Sequence, residues 1–307
     1  MSNLALIKKL REATGCGIAD CNKALAECKD DYDSAVDWLR KKGLSSAAKK
    51  SERVTTEGLV GVKIADKKAV IVEVNSETDF VAKNERFQNL VDKILATAIN
   101  VKSSNNFIED VKNAEVDGKK LSEVIADNVA VIGENLQLRR IESMELQGNG
   151  EIVSYIHTAA KEGLGKIAVL VALQSNADKE LLKELGKKIA MHIAASKPEF
   201  LNEAQVPAER LEREKAILME QSKASGKPQN IIEKMIEGRI KKFYEEICLL
   251  DQAFVMDDKM KVADLLTSFK KENGAEVSIQ DFRLFVLGEG LEKKSNDFAS
   301  EVASMTK

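Results

Sequence analysis

Histidine occurs only twice in the 307 residues, at His157 and His192, and proline only three times. The side chain most used for proton transfer near neutral pH is therefore almost missing. Neither histidine stands in Gly-x-Ser-x-Gly or His-Glu-x-x-His, and no Gly-x-x-x-x-Gly-Lys-Ser/Thr phosphate loop occurs. Gly15-x-Gly17 and Gly288-x-Gly290 are too short for a dinucleotide fingerprint. These absences predict a chain that acts by binding, with no catalytic residue and no cofactor. Cysteine is sparse as well: Cys16, Cys21, Cys28 and Cys248 are too few and too unevenly spaced for a disulfide framework. Without a Cys-x-x-Cys pair or a nearby histidine they predict no metal site either, and read as small core residues in a reducing compartment. Aromatic residues make up 5% of the chain, which with so little proline favours long helices over an all-β sandwich. No apolar run approaches a membrane span. The start, Met1-Ser2-Asn3-Leu4, lacks the basic and apolar regions of a signal peptide, so a cytoplasmic, unprocessed protein is expected. Net charge is −3 with both signs interspersed, which provides no global field for nucleic acid or membrane.

What is present is a strand, a corner and a helix. Ala69-Val70-Ile71-Val72-Glu73-Val74 is a β-branched segment of strand length. Beyond it, Phe87, Leu90, Val91, Ile94, Leu95 and Ala98 recur at helical spacing. Thr78 or Asp79 is the expected cap of that helix. Phe80 then falls at the strand-to-helix corner, with two outcomes open. A rigid aromatic beside a carboxylate suits insertion into a partner; alternatively the ring tucks under the sheet as ordinary core.

The rest of the chain predicts an α+β protein. Residues 3–43 read as three short helices broken at Thr14-Gly15-Cys16-Gly17, with the basic stretch 41–51 expected to be a helix end running into a linker. An internal repeat follows. Gly58-Leu59-Val60-Gly61-Val62-Lys63-Ile64 turns at Asp66-Lys67-Lys68 into the strand ending at Val74. Gly150-Glu151-Ile152-Val153-Ser154-Tyr155-Ile156-His157 turns into Lys166-Ile167-Ala168-Val169-Leu170-Val171. Each strand pair leads to a long helical pattern, which predicts two related half-domains with antiparallel sheet covered by helices. Leu121 to Val129 reads as helix and Leu136 to Arg140 as strand; Leu181 to Ile193 reads as helix, with His192 packed or capping. From 207 to 244, alternating charge with apolar spacing around Ser225-Gly226-Lys227-Pro228 predicts an antiparallel helical hairpin. A helix near Val262 and a last strand over Phe282, Leu284 and Val286 precede the tail. The expected division is 1–55, the three-helix unit with linker; 56–145 and 146–198, two half-domains; 199–248, the hairpin; 249–287, the rest of the second half-domain; and 288–307, a C-terminal helical module.

Several separated motifs carry a resemblance. Thr78-Asp79-Phe80-Val81-Ala82-Lys83 followed by Phe87-Gln88, Ile132-Gly133-Glu134-Asn135 followed by Arg139-Arg140, Tyr155-Ile156-His157, Met191 through Pro198, and Gln252-Ala253-Phe254-Val255-Met256 together resemble the elongation factor Ts family. The resemblance spans nearly the whole chain. It implies a guanine-nucleotide exchange factor for the GTPase elongation factor Tu. Asp79 and Phe80, flanked by Thr78 and Val81, would push between two helices of the GTPase beside the nucleotide's magnesium. The likeness further assigns Ile132, Gly133 and His157 to GTPase contacts. The three-helix unit resembles the ubiquitin-associated (UBA-like) shape that opens the family, and would dock through Gly15, Gly17, Ile18 and Ala19. In some members the 207–244 hairpin pairs with a second copy, so a homodimer is a further implication. Two departures stand out: Ala253 replaces a usual proline, and Ile18 and Ala19 stand where many relatives carry two larger apolar residues. The Asp297-Phe298 pair near the end echoes the central one and is expected to dock as helix. The alternative function is a non-catalytic helical scaffold that dimerises through the hairpin.

Overall fold

In the computed structural model, which describes residues 3–223 and 228–291, helices and antiparallel strands combine in a mixed α+β chain. It divides into two compact units, one of 1–60, 72–141 and 286–307, the other of 61–71 and 142–285. In chain order the elements begin with α1 (Asn3–Thr14), α2 (Ile18–Glu27), α3 (Tyr32–Lys50), β1 (Glu57–Ala65) and β2 (Lys68–Ser76). There follow α4 (Asp79–Ala82), α5 (Glu85–Ala98), α6 (Phe107–Asn113), β3 (Glu115–Val116), β4 (Lys119–Lys120), α7 (Leu121–Ile132) and β5 (Leu136–Glu145). Then come β6 (Gly150–His157), β7 (Leu164–Gly165), β8 (Ile167–Ser175) and α8 (Lys179–Ser196). The remainder is α9 (Ala208–Lys223), α10 (Gln229–Ile247), β9 (Ala253–Phe254), β10 (Asp257–Lys261), α11 (Val262–Asn273) and β11 (Val277–Val286).

In the first unit, α1, α2 and α3 close around Leu10, Cys21, Ala24, Leu25, Ala35 and Leu39, the inward stripes expected from helical spacing. Leu4, in the first turn of α1, is exposed. Helix α3 runs on to Lys50, so the expected helix end extends through nearly all of the basic stretch and the linker is confined to the residues between Lys50 and β1. The reason is a second surface. Past the three-helix core, α3 packs on α7: Arg40 pairs with Glu123, and buried Gly43 lies against Ala130. A chain with a packing partner along its whole length has no cause to unwind at a charge run. Helix α5 buries Phe87, Leu90, Val91, Ile94, Leu95 and Ala98, the full stripe read from the sequence.

In the second unit, β6 and β8 pair antiparallel in a sheet ordered β11-β8-β6, and α8 covers both strands. Buried Gly186 lets α8 approach closely, since a Cβ there would fall 2.5 Å from Val153 Cγ2. Leu181, expected on the inward stripe, is exposed, while Leu182, Leu185, Ile189 and Ile193 form the core with Val169, Val171, Phe254 and Phe269. Helices α9 and α10 pack on each other, with Pro228 just before the first residue of α10. The Ser225-Gly226-Lys227 bend lies outside the described residues.

The two hairpins of the repeat share one detail. The larger sheet is ordered β5-β2-β1-β7. Gly58, the second residue of β1, sits at φ 126°, and a Cβ there would meet the carbonyl oxygen of Val74 in β2 at 2.1 Å. Gly150 opens β6 at φ 148°, and its Cβ would meet the carbonyl of Leu173 in β8 at 1.9 Å. Each first strand thus carries, at or next to its start, a glycine position that only a hydrogen side chain can fill. The six-part division by residue number remains a proposal. Of the 288–307 module, only residues up to 291 are described, and Asp297-Phe298 lies outside them.

Candidate functional site: the corner after the second strand

Strand β2 is buried along nearly its whole length and delivers the chain to the corner at Ser76. Ser76 Oγ donates to the Thr78 carbonyl at 2.9 Å, bending the backbone out of the sheet. The chain then makes a single helical turn, α4, and unwinds at Lys83-Asn84 before α5 starts. This separate turn corrects the expected cap. Asn84, accepting from the Arg86 amide at 2.9 Å, caps the long helix, because its first free amides arise after the chain has already turned once. Thr78 precedes α4 but sends its hydroxyl elsewhere, to Glu134 Oε1 at 2.7 Å, while its amide donates to Glu134 Oε2 at 2.9 Å. At the other end of the turn, Gln88 Nε2 donates to the Ala82 carbonyl at 3.0 Å.

With Val81 and Ala82 buried, the one turn directs Asp79 and Phe80 outward. Phe80 is 77% exposed, whereas Phe87, seven residues on, is fully buried. The reading in which Phe80 tucks under the sheet is therefore excluded. Val81, expected among the contacts, is only 6% exposed: its side chain lies in the core and anchors the turn.

Helix α7 ends beside this corner. Gly133 sits left-handed at φ 88°, its amide donating to the Val129 carbonyl at 3.0 Å. A Cβ there would meet nothing within 4 Å, so the backbone angle, rather than close approach, calls for glycine. Lys50 Nζ donates to the Gly133 carbonyl at 2.7 Å. Ile132 is half-buried and Gly133 exposed. Next in sequence, Glu134 holds Thr78, and Glu77 Oε1 in return accepts the Asn135 amide at 2.6 Å. Asn135 is itself buried, its side-chain amide donating to the Arg53 carbonyl at 2.9 Å. Two segments 56 positions apart are thus cross-tied, Thr78 to Glu134 and Glu77 to Asn135, so that the turn carrying Asp79 and Phe80 and the helix end carrying Ile132 and Gly133 are joined at their bases.

The three-helix end of the same unit presents a second exposed group. Gly15 turns the chain at φ 68°, and a side chain there would strike the Arg86 guanidinium, which bonds Asn128 Oδ1 at 3.0 Å. Gly17 precedes α2 in open space, and Ile18 and Ala19 face outward on its first turn. In the second unit, His157 is exposed at the end of β6, where Tyr155 Oη and His157 Nδ1 lie 3.0 Å apart. His192 is buried: its Nδ1 accepts from the Val255 amide at 3.2 Å and its Nε2 donates to Gln252 Oε1 at 2.9 Å. Burial pushes this imidazole below its ordinary pKa, against the Gln252 bond. Both ring nitrogens are engaged within the fold, so His192 is a structural residue.

Glu77, Glu134 and Asn135 were not singled out from sequence as site-forming, and no local pattern marks a tie across that separation. For Glu73 the sequence does carry a signal, a carboxylate inside a β-branched strand. Glu73 is fully buried, 3.0 Å from the Arg139 guanidinium, ion-paired to Arg140 and accepting the Gly288 amide at 2.9 Å. Burial alone would raise its pKa, yet the Gly288 amide and Arg140 hold it below the ordinary glutamate value. Among the described residues, no group of three or more His, Cys, Asp or Glu side chains could hold a metal ion, and no helix is long and apolar enough to cross a membrane.

The family model described as "Elongation factor TS" matches residues 77–289. The chain is 48% identical over 303 residues to a Rhodospirillum rubrum protein named elongation factor Ts, covering 99% of this chain and 98% of that one. Its identity to the elongation factor Ts of Paramagnetospirillum magneticum is 49% over 302 residues, covering 98% and 96% of the two chains. To that of Brucella anthropi it is 50% over 303 residues, covering 99% and 98%.

Proposed function

The chain belongs to the elongation factor Ts family of translation elongation factors, and from that premise we propose that it is the guanine-nucleotide exchange factor of elongation factor Tu, acting in the cytoplasm without covalent chemistry. The observation that carries this reading is Phe80, an exposed aromatic beside an exposed carboxylate on a turn tied at both ends. A GTPase holds GDP through phosphate contacts and a magnesium ion. Phe80 enters between the helices that flank this ion, and Asp79 disturbs the ion's water shell. With the magnesium loosened, the phosphate loop shifts and GDP departs. The factor holds the empty GTPase until abundant GTP displaces it. Linkage requires the converse: whatever weakening the factor imposes on GDP, GDP imposes on the factor.

Further contacts in this proposal come from Ile132 and Gly133, from His157, and from Gly17, Ile18 and Ala19 of the three-helix end, with Gly15 setting the turn before them. That end is the UBA-like element of the proposal. We also propose that the α9–α10 hairpin is antiparallel and pairs with a second copy, for which exposed Ile217 and Ile231 offer apolar surface. The chain needs neither nucleic acid nor membrane for this role.

Stopped-flow release of fluorescent GDP from elongation factor Tu tests the proposal. The expected result is a release rate that rises with factor concentration to a plateau, and a complex that excess GDP dissociates. Release at the spontaneous rate across the whole concentration range would overturn it.

A further inference from the structure

We infer that Glu134 is a positioning residue that, with Glu77, sets the angle at which Phe80 is presented; this rests on the reading of Phe80 as the inserted aromatic. A lone helical turn is not self-supporting, because the ordering cost of its first residues is returned by very few hydrogen bonds. Helix α4 has four residues, and the residue before it makes no capping bond into it. Its hold on the fold is supplied from outside. Val81 and Ala82 anchor its inner side. Gln88 takes the Ala82 carbonyl at its end, and Glu134 takes both the amide and the hydroxyl of Thr78 at its start.

The Glu134 contact fixes orientation as well as position. Two acceptor atoms of one carboxylate engaging two donors of one residue define a plane, which a single bond does not. Glu134 is itself located from two sides. Gly133 turns the chain into it through a left-handed angle, and Glu77 captures the amide of Asn135 just after it. The exchange is reciprocal, each segment giving a carboxylate and receiving a backbone amide. Arg53, 3.4 Å from Glu77, offsets some of the negative charge gathered there. A ring at the outer end of a one-turn lever swings through a large arc when its base rotates, so these bonds convert directly into aim. The same tie joins the segment that carries Ile132 and Gly133 to the one that carries the ring.

Four proteins decide the matter: Glu134→Ala, Glu134→Gln, Phe80→Ala and the Phe80→Ala/Glu134→Ala double variant. Each is measured for GDP release from elongation factor Tu at saturating factor, for Thr78 amide hydrogen exchange, and for thermal midpoint. We expect Glu134→Ala to lose protection at the Thr78 amide and to slow release about tenfold, as loss of charge-assisted bonds predicts. Glu134→Gln, which keeps an acceptor for the amide and gains a donor for the hydroxyl oxygen, should recover most of the rate. The double variant should be no slower than Phe80→Ala, because a residue that works only through the ring has nothing left to aim. Glu134→Ala releasing GDP within twofold of the unaltered chain would overturn the inference. So would a double variant about tenfold slower than Phe80→Ala, since Glu134 would then be an independent contact. If Glu134→Ala does not fold, Thr78→Val removes the hydroxyl bond alone; a severalfold slower release supports the inference and an unchanged rate overturns it. Failure of the functional reading looks different, because the unaltered chain itself would then leave GDP release at its spontaneous rate.

Discussion

Phe80→Ala and Phe87→Ala remove the same side chain seven residues apart and should have opposite consequences. A phenylalanine covers ~150–250 Å² when fully buried. Phe80 is 77% exposed, so folding hides about a quarter of that, roughly 50 Å². At ~25 cal/mol per Å², the stability at stake is about 1 kcal/mol, a midpoint shift of about 2–4 °C or less for a chain of this size. Phe87 has no exposed surface, and its truncation should cost ~3–5 kcal/mol. Insertion of Phe80 into the GTPase would hide the remaining three-quarters, on the order of 100–200 Å². Truncation of such an anchor costs about 2–4 kcal/mol of binding, or roughly 30- to 1,000-fold in affinity. Circular-dichroism melts give the first quantity, and GDP release against factor concentration gives the second. A melt for Phe80→Ala as depressed as that for Phe87→Ala would refute the burial argument. An unchanged melt together with an unchanged release curve would refute the role of the ring.

The buried carboxylate of Glu73 supports the fold rather than exchange. Glu73→Gln removes the buried charge that Arg139 and Arg140 share, while both keep bonds to Glu289 and Arg140 one to the Val286 carbonyl; it should cost about 1.5–3 kcal/mol in urea unfolding, with GDP release at saturating, folded protein retained. Because the folded pKa of Glu73 is depressed, its contribution is complete above the ordinary glutamate range and fades as pH falls through the folded value. His192 acts at a higher pH. Its folded pKa is also lowered, so the unfolded chain binds the proton first, and stability should decline as pH drops below ~6.5. Urea midpoints between pH 7.5 and 5.5 should show this slope in the unaltered chain and in His157→Gln, and lose it in His192→Gln; a slope that persists in His192→Gln refutes the assignment. Gly58→Ala and Gly150→Ala should each cost about 1–3 kcal/mol or more, since both put a Cβ into the carbonyl of a neighbouring strand. Equal melts for either variant and the unaltered chain would refute the close approach.

The sequence alone determined the main helices and strands and most of their inward faces. The α5 stripe from Phe87 to Ala98, the paired hairpins at Gly58 and Gly150, and the buried faces of α2 and α3 all follow from local periodicity, which composition and spacing express without reference to distant residues. It also placed Phe80 at a corner. Whether that ring faces solvent was decided by tertiary structure. The outcome depends on Val81 and Ala82 finding the core and on Glu134 meeting Thr78 from 56 positions away. The same holds for the length of α3, whose basic second half reads as a helix end running into a linker and continues to Lys50 because α7 supplies a surface to pack on. Helix and strand periods are properties of a few consecutive residues. The direction of a side chain at a corner, and the ties that hold it there, belong to contacts that exist only once the chain has closed on itself.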